Sequence, residues 1–459
     1  MRRMTRLRRV AIIACTGATV GAVLVGGLLA QGGSAQAPSA RLALVGGMLI
    51  DGTGGAPLRD SVVLVGGERI ERVGTIATLP VPAGYERIST EGLTVLPGLW
   101  DLHVHMMYSG HPNPGAWFKH AAEFEQVTIP ASARQMLMAG VTSVRDLAAP
   151  ADAIFGVKKR VASGALPGPT IYAAGPALAK LNPGQTTTGQ FVPVADAADA
   201  RAKTKQLLDS GADVIKIFFA ERMSSEERTA IISEAHARGK KVAAHGTTDA
   251  EVRLGLAIGV DDFQHIGIDS PEFPADVMAA LRERVRTGPP VYWTPTIGAN
   301  GLLNHDYAAT RPELLVDDPE LYLGLPPGLV AEVKAGWQTF APRPSRNDAG
   351  AIIRRKVAQM QEAGVILNFG SDEGSFGEVA RHAAWMDADL WIRELGVPPM
   401  MVIQRMTLDA ARSMGVDREV GSVTEGKFAD IIAVADDPLR HIAVLREPKL
   451  VIKHGHRYR

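Results

Sequence analysis

Residues 211–246 have the sequence "GADVIKIFFAERMSSEERTAIISEAHARGKKVAAHG", in which two apolar runs flank a helical pattern. The runs, residues 213–219 and 241–246, have the length and apolar content of buried strands. Between them, "SSEE" is a capping-box sequence typical of a helix start, and a glycine follows the last helical residue. A strand, a helix and a second strand in this order predict a parallel βαβ unit.

The same alternation extends along the chain in both directions. Eight candidate strands alternate with helical stretches, which predicts an α/β protein with a (β/α)8 TIM barrel at residues 96–415. A doubly wound open sheet is the alternative, but no glycine-rich phosphate loop follows any strand. The candidate strands are residues 100–106, 141–147, 170–175, 213–219, 241–246, 261–267, 291–296 and 365–372.

Short strands separated by glycine turns flank this region on both sides. They fill residues 38–95, and the same pattern returns at residues 416–459. We predict that the two segments join in one small β-sandwich domain, with the barrel inserted between them.

The first residues differ from everything that follows. "MRRMTRLRRV" holds five arginines and no acid, residues 10–30 carry no charge, and "AQA" lies at 35–37. This layout predicts a signal peptide at residues 1–37, cleaved after Ala37, and a secreted or periplasmic protein. An uncleaved membrane anchor is the alternative, because the apolar run is long enough to span a bilayer.

Composition excludes several classes of protein. The 459 residues contain 49 Lys and Arg and 49 Asp and Glu, so net charge gives no reason to expect a nucleic-acid partner. Cys15 is the single cysteine, which leaves no internal disulfide and no cysteine metal cluster. A metal site in this chain would have to use His, Asp, Glu or Lys.

Side chains that suit a metal lie in or at the ends of the predicted strands, and barrel enzymes place their active sites at the carboxyl ends of the strands. His103 and His105 are two residues apart, so their side chains share one face of the first strand. Lys216 lies inside the fourth strand, where an unpaired ammonium is costly to bury. A structural role is the alternative for each residue alone, but six together favour one site. The six are His103, His105, Lys216, His245, His265 and Asp372.

Motifs along nearly the whole mature chain resemble the amidohydrolase superfamily, in particular its imidazolonepropionase-like and Xaa-Pro-dipeptidase-like hydrolases. They are, in order, "LPGLWDLHVH", "MAGVTSVRDL", "GADVIKIF", "EAHARGKKVAAHG", "GVDDFQHIG", "GVILNFGSD" and "GSVTEGKFADIIAV". The resemblance implies two divalent metal ions. His103, His105 and Asp372 would bind the first and His245 and His265 the second, while Lys216, carboxylated by carbon dioxide to a carbamate, would bridge both. Zinc suits these ligands, with manganese or iron as alternatives.

The chemistry implied by this resemblance is hydrolysis of an amide C–N bond. A hydroxide held between the metals would attack the carbonyl, with Asp372 as general base and then general acid. A dipeptide or an N-acyl amino acid is the expected small-molecule substrate, with an aryl amide or carbamate as alternatives. A mononuclear hydrolase or deaminase with a structural Lys216 and a non-catalytic binding protein are the rival functions. A homo-oligomer stays open, and a membrane partner is expected only if the signal is uncleaved.

Substrate contacts are harder to place. Related sequences often carry a histidine in a glycine-rich loop after the third strand, whereas residues 177–191, "ALAKLNPGQTTTGQF", have Gln190 and no histidine. Tyr108 and Arg222 are candidate substrate-binding residues, since they follow the first and fourth strands. Five other histidines match no ligand position, and we expect them to be surface or helix residues. They are His111, His120, His236, His305 and His382.

Overall fold

The computed structural model describes residues 41–182, 188–299, 303, 313–341, 346–375 and 377–459. The predicted signal peptide and His305 lie outside these ranges. No helix within them is long and apolar enough to cross a membrane.

The two ends of the chain meet in one antiparallel pairing. Strand Ile431–Ala435 pairs with strand Leu93–Pro97, from Ile431 opposite Pro97 to Ala435 opposite Leu93. The five-stranded sheet around this pair has the order His456–Arg457, Leu450–Lys453, Ile431–Ala435, Leu93–Pro97 and Met48–Leu49. A second sheet has the order Arg69–Thr75, Ser61–Gly66, Arg41–Val45 and Glu86–Ser89.

The two terminal sheets share one apolar core. Leu44 and Val63 from the four-stranded sheet pack in the same cluster as Val95, Ile431 and Leu450 from the five-stranded sheet. Residues Ser39–Arg459 nevertheless form a single compact unit. The sandwich as a separate domain therefore stays a prediction.

Strands occur at all eight positions predicted for the barrel, and they are parallel. They are divided between two sheets. The first has the order Leu99–Val104, Val141–Asp146 and Thr170–Ala173. The second has the order Phe191–Pro193, Ala177–Ala179, Val214–Phe218, Lys241–His245, Asp262–Gln264, Tyr292–Thr294 and Ile366–Leu367.

The expected closed barrel is thus not one continuous sheet. Two short strands that the sequence did not predict, Ala177–Ala179 and Phe191–Pro193, pair at the edge beside Val214–Phe218. Scattered backbone hydrogen bonds join the sheets where ladders are missing. Three connect the first strand to the segment of the eighth, from Leu102 N to Phe369 O at 3.1 Å, from Asp372 N to His103 O at 2.8 Å and from His105 N to Glu373 O at 2.7 Å. On the other side, Asp213 N donates to Ala173 O at 2.8 Å. Register shifts in the first strand and the short eighth strand explain why no regular ladder forms between them.

Helices cover the parallel strands, and their ends follow the sequence signals. Ser224 caps Ser225–Ala237 in a complete capping box with Glu227, as "SSEE" predicts. The α-helices are Pro114–Trp117, Ile129–Met138, Ala151–Ala162, Ala197–Ser210, Ser225–Ala237, Asp249–Ile258, Ala275–Thr287, Glu313–Val316, Pro327–Thr339, Ala349–Glu362, Ala383–Arg393, Pro399–Arg405 and Leu408–Ser413. Shorter helical turns are Met106–Tyr108, Phe118–Glu123, Phe124–Thr128, Ala220–Arg222, Pro319–Tyr322 and Ile442–Arg446.

Candidate active site

Two histidines and one aspartate meet at the end of the first parallel strand. The Nε2 atoms of His103 and His105 lie 3.2 and 3.3 Å from Oδ1 of Asp372. One ligand atom from each residue can be chosen so that the three lie within 4.8 Å of one another. Imidazole nitrogens and a carboxylate oxygen at this spacing are a donor set that suits a divalent metal ion such as zinc.

The remaining predicted ligands lie beside this cluster. The ring of His265 is centred 4.8 Å from that of His103 and 4.6 Å from that of His245. Lys216 lies in the strand Val214–Phe218, which pairs with the strand that ends at His245. Only 1% of its surface is exposed. Five of the six predicted ligands line one cavity of about 270 Å³, and His103 is buried behind them. The five are His105, Lys216, His245, His265 and Asp372.

Burial favours the neutral forms of His103, His245 and His265 and of the Lys216 amine. Burial, reinforced by neighbouring cations, holds the pKa of His103 and His245 well below the usual range for histidine. Burial lowers the pKa of His265 to about 4, although Asp372 opposes the shift. Burial also lowers the pKa of Lys216 to about 7, again against the attraction of Asp372. Neutral imidazole is the form that coordinates a metal.

Three buried atoms of the predicted ligands make no hydrogen bond in the part of the chain that the structure describes, and one of them, Nε2 of His103, faces Oδ1 of Asp372 at 3.2 Å. Nζ of Lys216 and Nδ1 of His245 make no hydrogen bond there. A buried polar atom without a partner is costly, so a group outside the chain is expected to meet them. A metal at His245, and a modified lysine between two metals, would satisfy both atoms. The residues therefore fit the metal centre that the sequence predicted.

Three ligand histidines are held by hydrogen bonds on the side away from the cavity. Nδ1 of His103 lies 2.8 Å from Oε1 of Gln264, and Nδ1 of His265 lies 2.8 Å from Oγ1 of Thr296. Nδ1 of His105 lies 3.3 Å from the carbonyl oxygen of Ala148. Each contact orients a ring and leaves Nε2 available for a metal, as in characterised metal sites.

A buried ion pair lies beside the candidate site and is bonded to the backbone that precedes His103. Nη1 of Arg145 lies 2.5 Å from Oδ2 of Asp262, and both side chains are nearly inaccessible to solvent. Nε of Arg145 donates to the carbonyl oxygen of Leu102, one residue before His103, at 2.7 Å. The sequence analysis missed Arg145, Asp262 and Gln264. The signal was present, because they are polar residues inside covered strands, as Lys216 is.

The backbone is strained where the strands end at the site. His265, Thr296 and Asp372 have φ angles of 67°, 44° and 61°, in the left-handed region that non-glycine residues rarely adopt. Backbone hydrogen bonds hold two of them, from His265 N to Thr294 O and from Asp372 N to His103 O, both 2.8 Å. Such strain persists where the surroundings enforce it, and it is concentrated at functional sites.

The candidate substrate contacts are placed differently. Tyr108 lines the cavity, and its hydroxyl donates to Oε1 of Gln190 at 3.1 Å. Arg222 is not among the lining residues, and its guanidinium carbon lies 3.8 Å from the centre of the Phe219 ring. A role for Arg222 in substrate binding stays a prediction.

Two of the histidines expected on the surface or in helices are buried. His111 lies in a loop, is 4% exposed, and packs its ring 5.0 Å from Trp117, so the prediction for it is wrong. His382 is 1% exposed and immediately precedes the helix Ala383–Arg393. The neighbouring rings, Trp117 and Trp385, are close in sequence, but Nε2 of His382 also lies 3.3 Å from Oδ2 of Asp318, a long-range contact that local sequence does not reveal.

Comparison with known proteins agrees with this geometry. Residues 94–282 and 331–457 match the amidohydrolase family, and the chain belongs to that family. Ochratoxinase of Aspergillus niger is 26% identical over 425 residues, which cover 83% of this chain and 78% of that protein. The chain is therefore an enzyme of the hydrolase class, from a family that is typically metal-dependent.

Solved structures share the fold. One assigned as a prolidase, from Bifidobacterium longum, is 26% identical, with a TM-score of 0.70 over 92% of this chain and 95% of that one. A Xaa-Pro dipeptidase with bound methionine in its active site has a TM-score of 0.66 at 23% identity, over 91% of this chain and 100% of that one.

Proposed function

We propose that this protein is a binuclear metal-dependent amidohydrolase that cleaves an amide C–N bond in a dipeptide or an N-acyl amino acid. One observation carries the proposal: four buried or half-buried histidines, an aspartate and an unpartnered lysine converge on one cavity. Membership of the amidohydrolase family supports it. The eight parallel strands, divided between two sheets, are proposed to be those of a (β/α)8 barrel.

The ligands would divide between two ions, proposed to be zinc. His103, His105 and Asp372 would hold one, and His245 and His265 the other. Bound divalent ions would polarise the substrate carbonyl and make a water molecule more acidic. Lys216, converted to a carbamate, would bind both ions. Its neutral amine nitrogen can form a bond to carbon dioxide with release of a proton.

Asp372 is the residue that we propose moves protons in this reaction. Its carboxylate lies among the histidine rings and lines the cavity, so a water and the leaving nitrogen can both reach it. It would accept the proton of the attacking water and return it to the leaving amine. The buried backbone around it keeps the carboxylate in place between these two transfers.

The substrate class is supported by the relatives. A prolidase-type structure and ochratoxinase are both about a quarter identical to this chain over most of its length. A cavity of about 270 Å³ suits a compound of dipeptide size. The mononuclear hydrolase or deaminase remains the second candidate, favoured by the group of His103, His105 and Asp372, whose ligand atoms lie within 4.8 Å of one another.

Metal counting on matched histidine variants tests the proposal. The wild-type protein, prepared with zinc and bicarbonate, is expected to hold two ions per chain and to hydrolyse members of a dipeptide and N-acyl amino acid panel. His245→Ala should lose at least one ion and its activity. His236→Ala is the control, because His236 pairs with Asp261 on the surface. One ion in a fully active wild type would support the mononuclear candidate, and an active His245→Ala would contradict the ligand assignment.

The localisation is proposed from the amino-terminal sequence alone. Five arginines, an uncharged run and "AQA" at 35–37 support export to the periplasm or medium with cleavage after Ala37. Sequencing of the exported protein is expected to start at Pro38. Recovery of the full-length chain in the membrane fraction would establish the anchor alternative.

A further inference from the structure

Gln190 is a polar residue of the cavity wall that the proposed chemistry does not use. It directly precedes the short strand Phe191–Pro193, and its carbonyl oxygen accepts a hydrogen bond from Ala177 N at 2.9 Å. Its side chain lines the same cavity as Lys216 and Asp372, with 9% of the residue exposed. A glutamine in this position can make hydrogen bonds both to the protein and to a molecule bound in the cavity.

One end of the amide has its partner. The Tyr108 hydroxyl donates to Oε1 of Gln190 at 3.1 Å, and Tyr108 itself is 4% exposed. Burial raises the pKa of Tyr108, so the phenol stays protonated and acts as the donor. The Tyr108 contact thereby orients the amide. Nε2 of Gln190 has no hydrogen-bond partner in the described residues, although it has two N–H donors.

The walls around this amide are aromatic. Phe191 and Phe218 line the cavity, with ring centres 5.0 Å apart, and the Phe218 ring lies 4.1 Å from that of His245. Tyr108 lines it as well, with its ring 5.9 Å from that of Phe118. A planar apolar group fits such surroundings, and a charged group would lose its hydration there without compensation.

We propose that Gln190 is a specificity-determining residue whose Nε2 donates a hydrogen bond to an uncharged carbonyl oxygen of the substrate, and that Tyr108 is its positioning residue. This inference rests on the amide hydrolysis of the proposed function and narrows the N-acyl amino acid and dipeptide substrates to forms whose carboxyl group is blocked as a neutral amide or ester. The preferred substrate is an amide with an apolar, planar group and a neutral carbonyl at this position. A free carboxylate would gain more from a guanidinium than from the N–H groups of an amide.

A matched pair of compounds tests the preference. N-benzoylphenylalaninamide presents a neutral carbonyl, and N-benzoylphenylalanine presents a carboxylate on the same skeleton. Wild-type protein loaded with zinc should bind the neutral compound more tightly by titration calorimetry and hydrolyse it with a lower KM. Gln190→Leu should raise the Kd and KM for the neutral compound about threefold to tenfold, with kcat and metal content much less affected. Gln404→Leu, at a surface glutamine bonded to the Thr53 carbonyl, is the control.

The positioning role of Tyr108 has its own test. Tyr108→Phe should weaken binding of the neutral compound in the wild-type background and have no further effect in Gln190→Leu, because its hydroxyl acts through Gln190. Equal losses in both backgrounds would show that Tyr108 contacts the ligand directly. Unchanged Kd in Gln190→Leu, tighter binding of the free acid, or no binding of either compound would overturn the inference. Binding through Gln190 without hydrolysis would overturn the proposed function instead.

Discussion

Replacing Lys216 by methionine should make the metal-free protein more stable. The same substitution should remove the activity of the metal-loaded protein. The residue is 1% exposed, and its Nζ makes no hydrogen bond to the described part of the chain. A buried polar group without a partner costs about 1–3 kcal/mol. Methionine has a similar shape and no such group, so we expect the free energy of unfolding of Lys216→Met to rise by about 1–3 kcal/mol.

A second buried lysine provides a control of opposite sign. The Lys356 side chain is 0% exposed, but its Nζ lies 3.2 Å from Oδ1 of Asp249 and 3.3 Å from Oδ1 of Asp269. Removing one partner of a buried ion pair costs about 3–5 kcal/mol. Because the Asp269 side chain is 37% exposed, we expect a smaller loss for Lys356→Met, about 2–3 kcal/mol.

Urea unfolding of both variants, after chelation and in buffer free of carbon dioxide, measures these changes. In the metal-loaded enzyme, Lys216→Ala should lose activity, and added acetate or propionate should restore part of it. Lys216→Arg should also be inactive, because a guanidinium stays cationic and cannot replace the carbamate. If Lys216→Met were destabilised as much as Lys356→Met, the structural reasoning about Lys216 would be wrong. An active Lys216→Arg holding one metal per chain would reject the bridging role.

Two further predictions concern groups that surround the site. Arg145→Met leaves the Asp262 carboxylate buried without its ion pair, so urea unfolding should show a loss of about 3–5 kcal/mol; a loss below 1 kcal/mol would refute this. Burial raises the pKa of Asp387 to about 8. The unfolded carboxyl loses its proton near pH 4, so stability should fall between about pH 4 and pH 8, and Asp387→Asn should flatten that fall in urea titrations at several pH values.

The positions of the parallel strands could be predicted from local patterns because strands covered on both faces are continuous apolar runs. Helix starts are also local features. "SSEE" marked a real helix start at Ser224 because capping depends on residues three apart. How the strands pair depends on contacts between distant residues. The division into two sheets joined by scattered hydrogen bonds, and the added strands Ala177–Ala179 and Phe191–Pro193, therefore could not be predicted in this way.

The candidate site shows the same division. Its ligand positions were predictable because each lies at or near a strand end and carries a metal-binding side chain. The hydrogen bonds behind the rings were not, since Gln264 and Thr296 reach their histidines across neighbouring strands. The burial of His111 follows from packing against Trp117, which belongs to a short helix and shows no pattern that identifies it as a neighbour.

Lys216 and Lys356 show which structural observation identifies a functional lysine. Both are buried, and from sequence alone only the strand position of Lys216 sets it apart. The structure pairs Lys356 with two carboxylates, one of them 107 residues away, which accounts for its burial entirely within the fold. Lys216 has no such partner, and its nearest elements carry the imidazoles of the proposed metal centre. A buried amine without a partner lowers the stability of the fold. The presence of Lys216 is therefore explained by a group that binds to it rather than by the fold. Carbon dioxide, bound as a carbamate that holds metal ions, would be such a group.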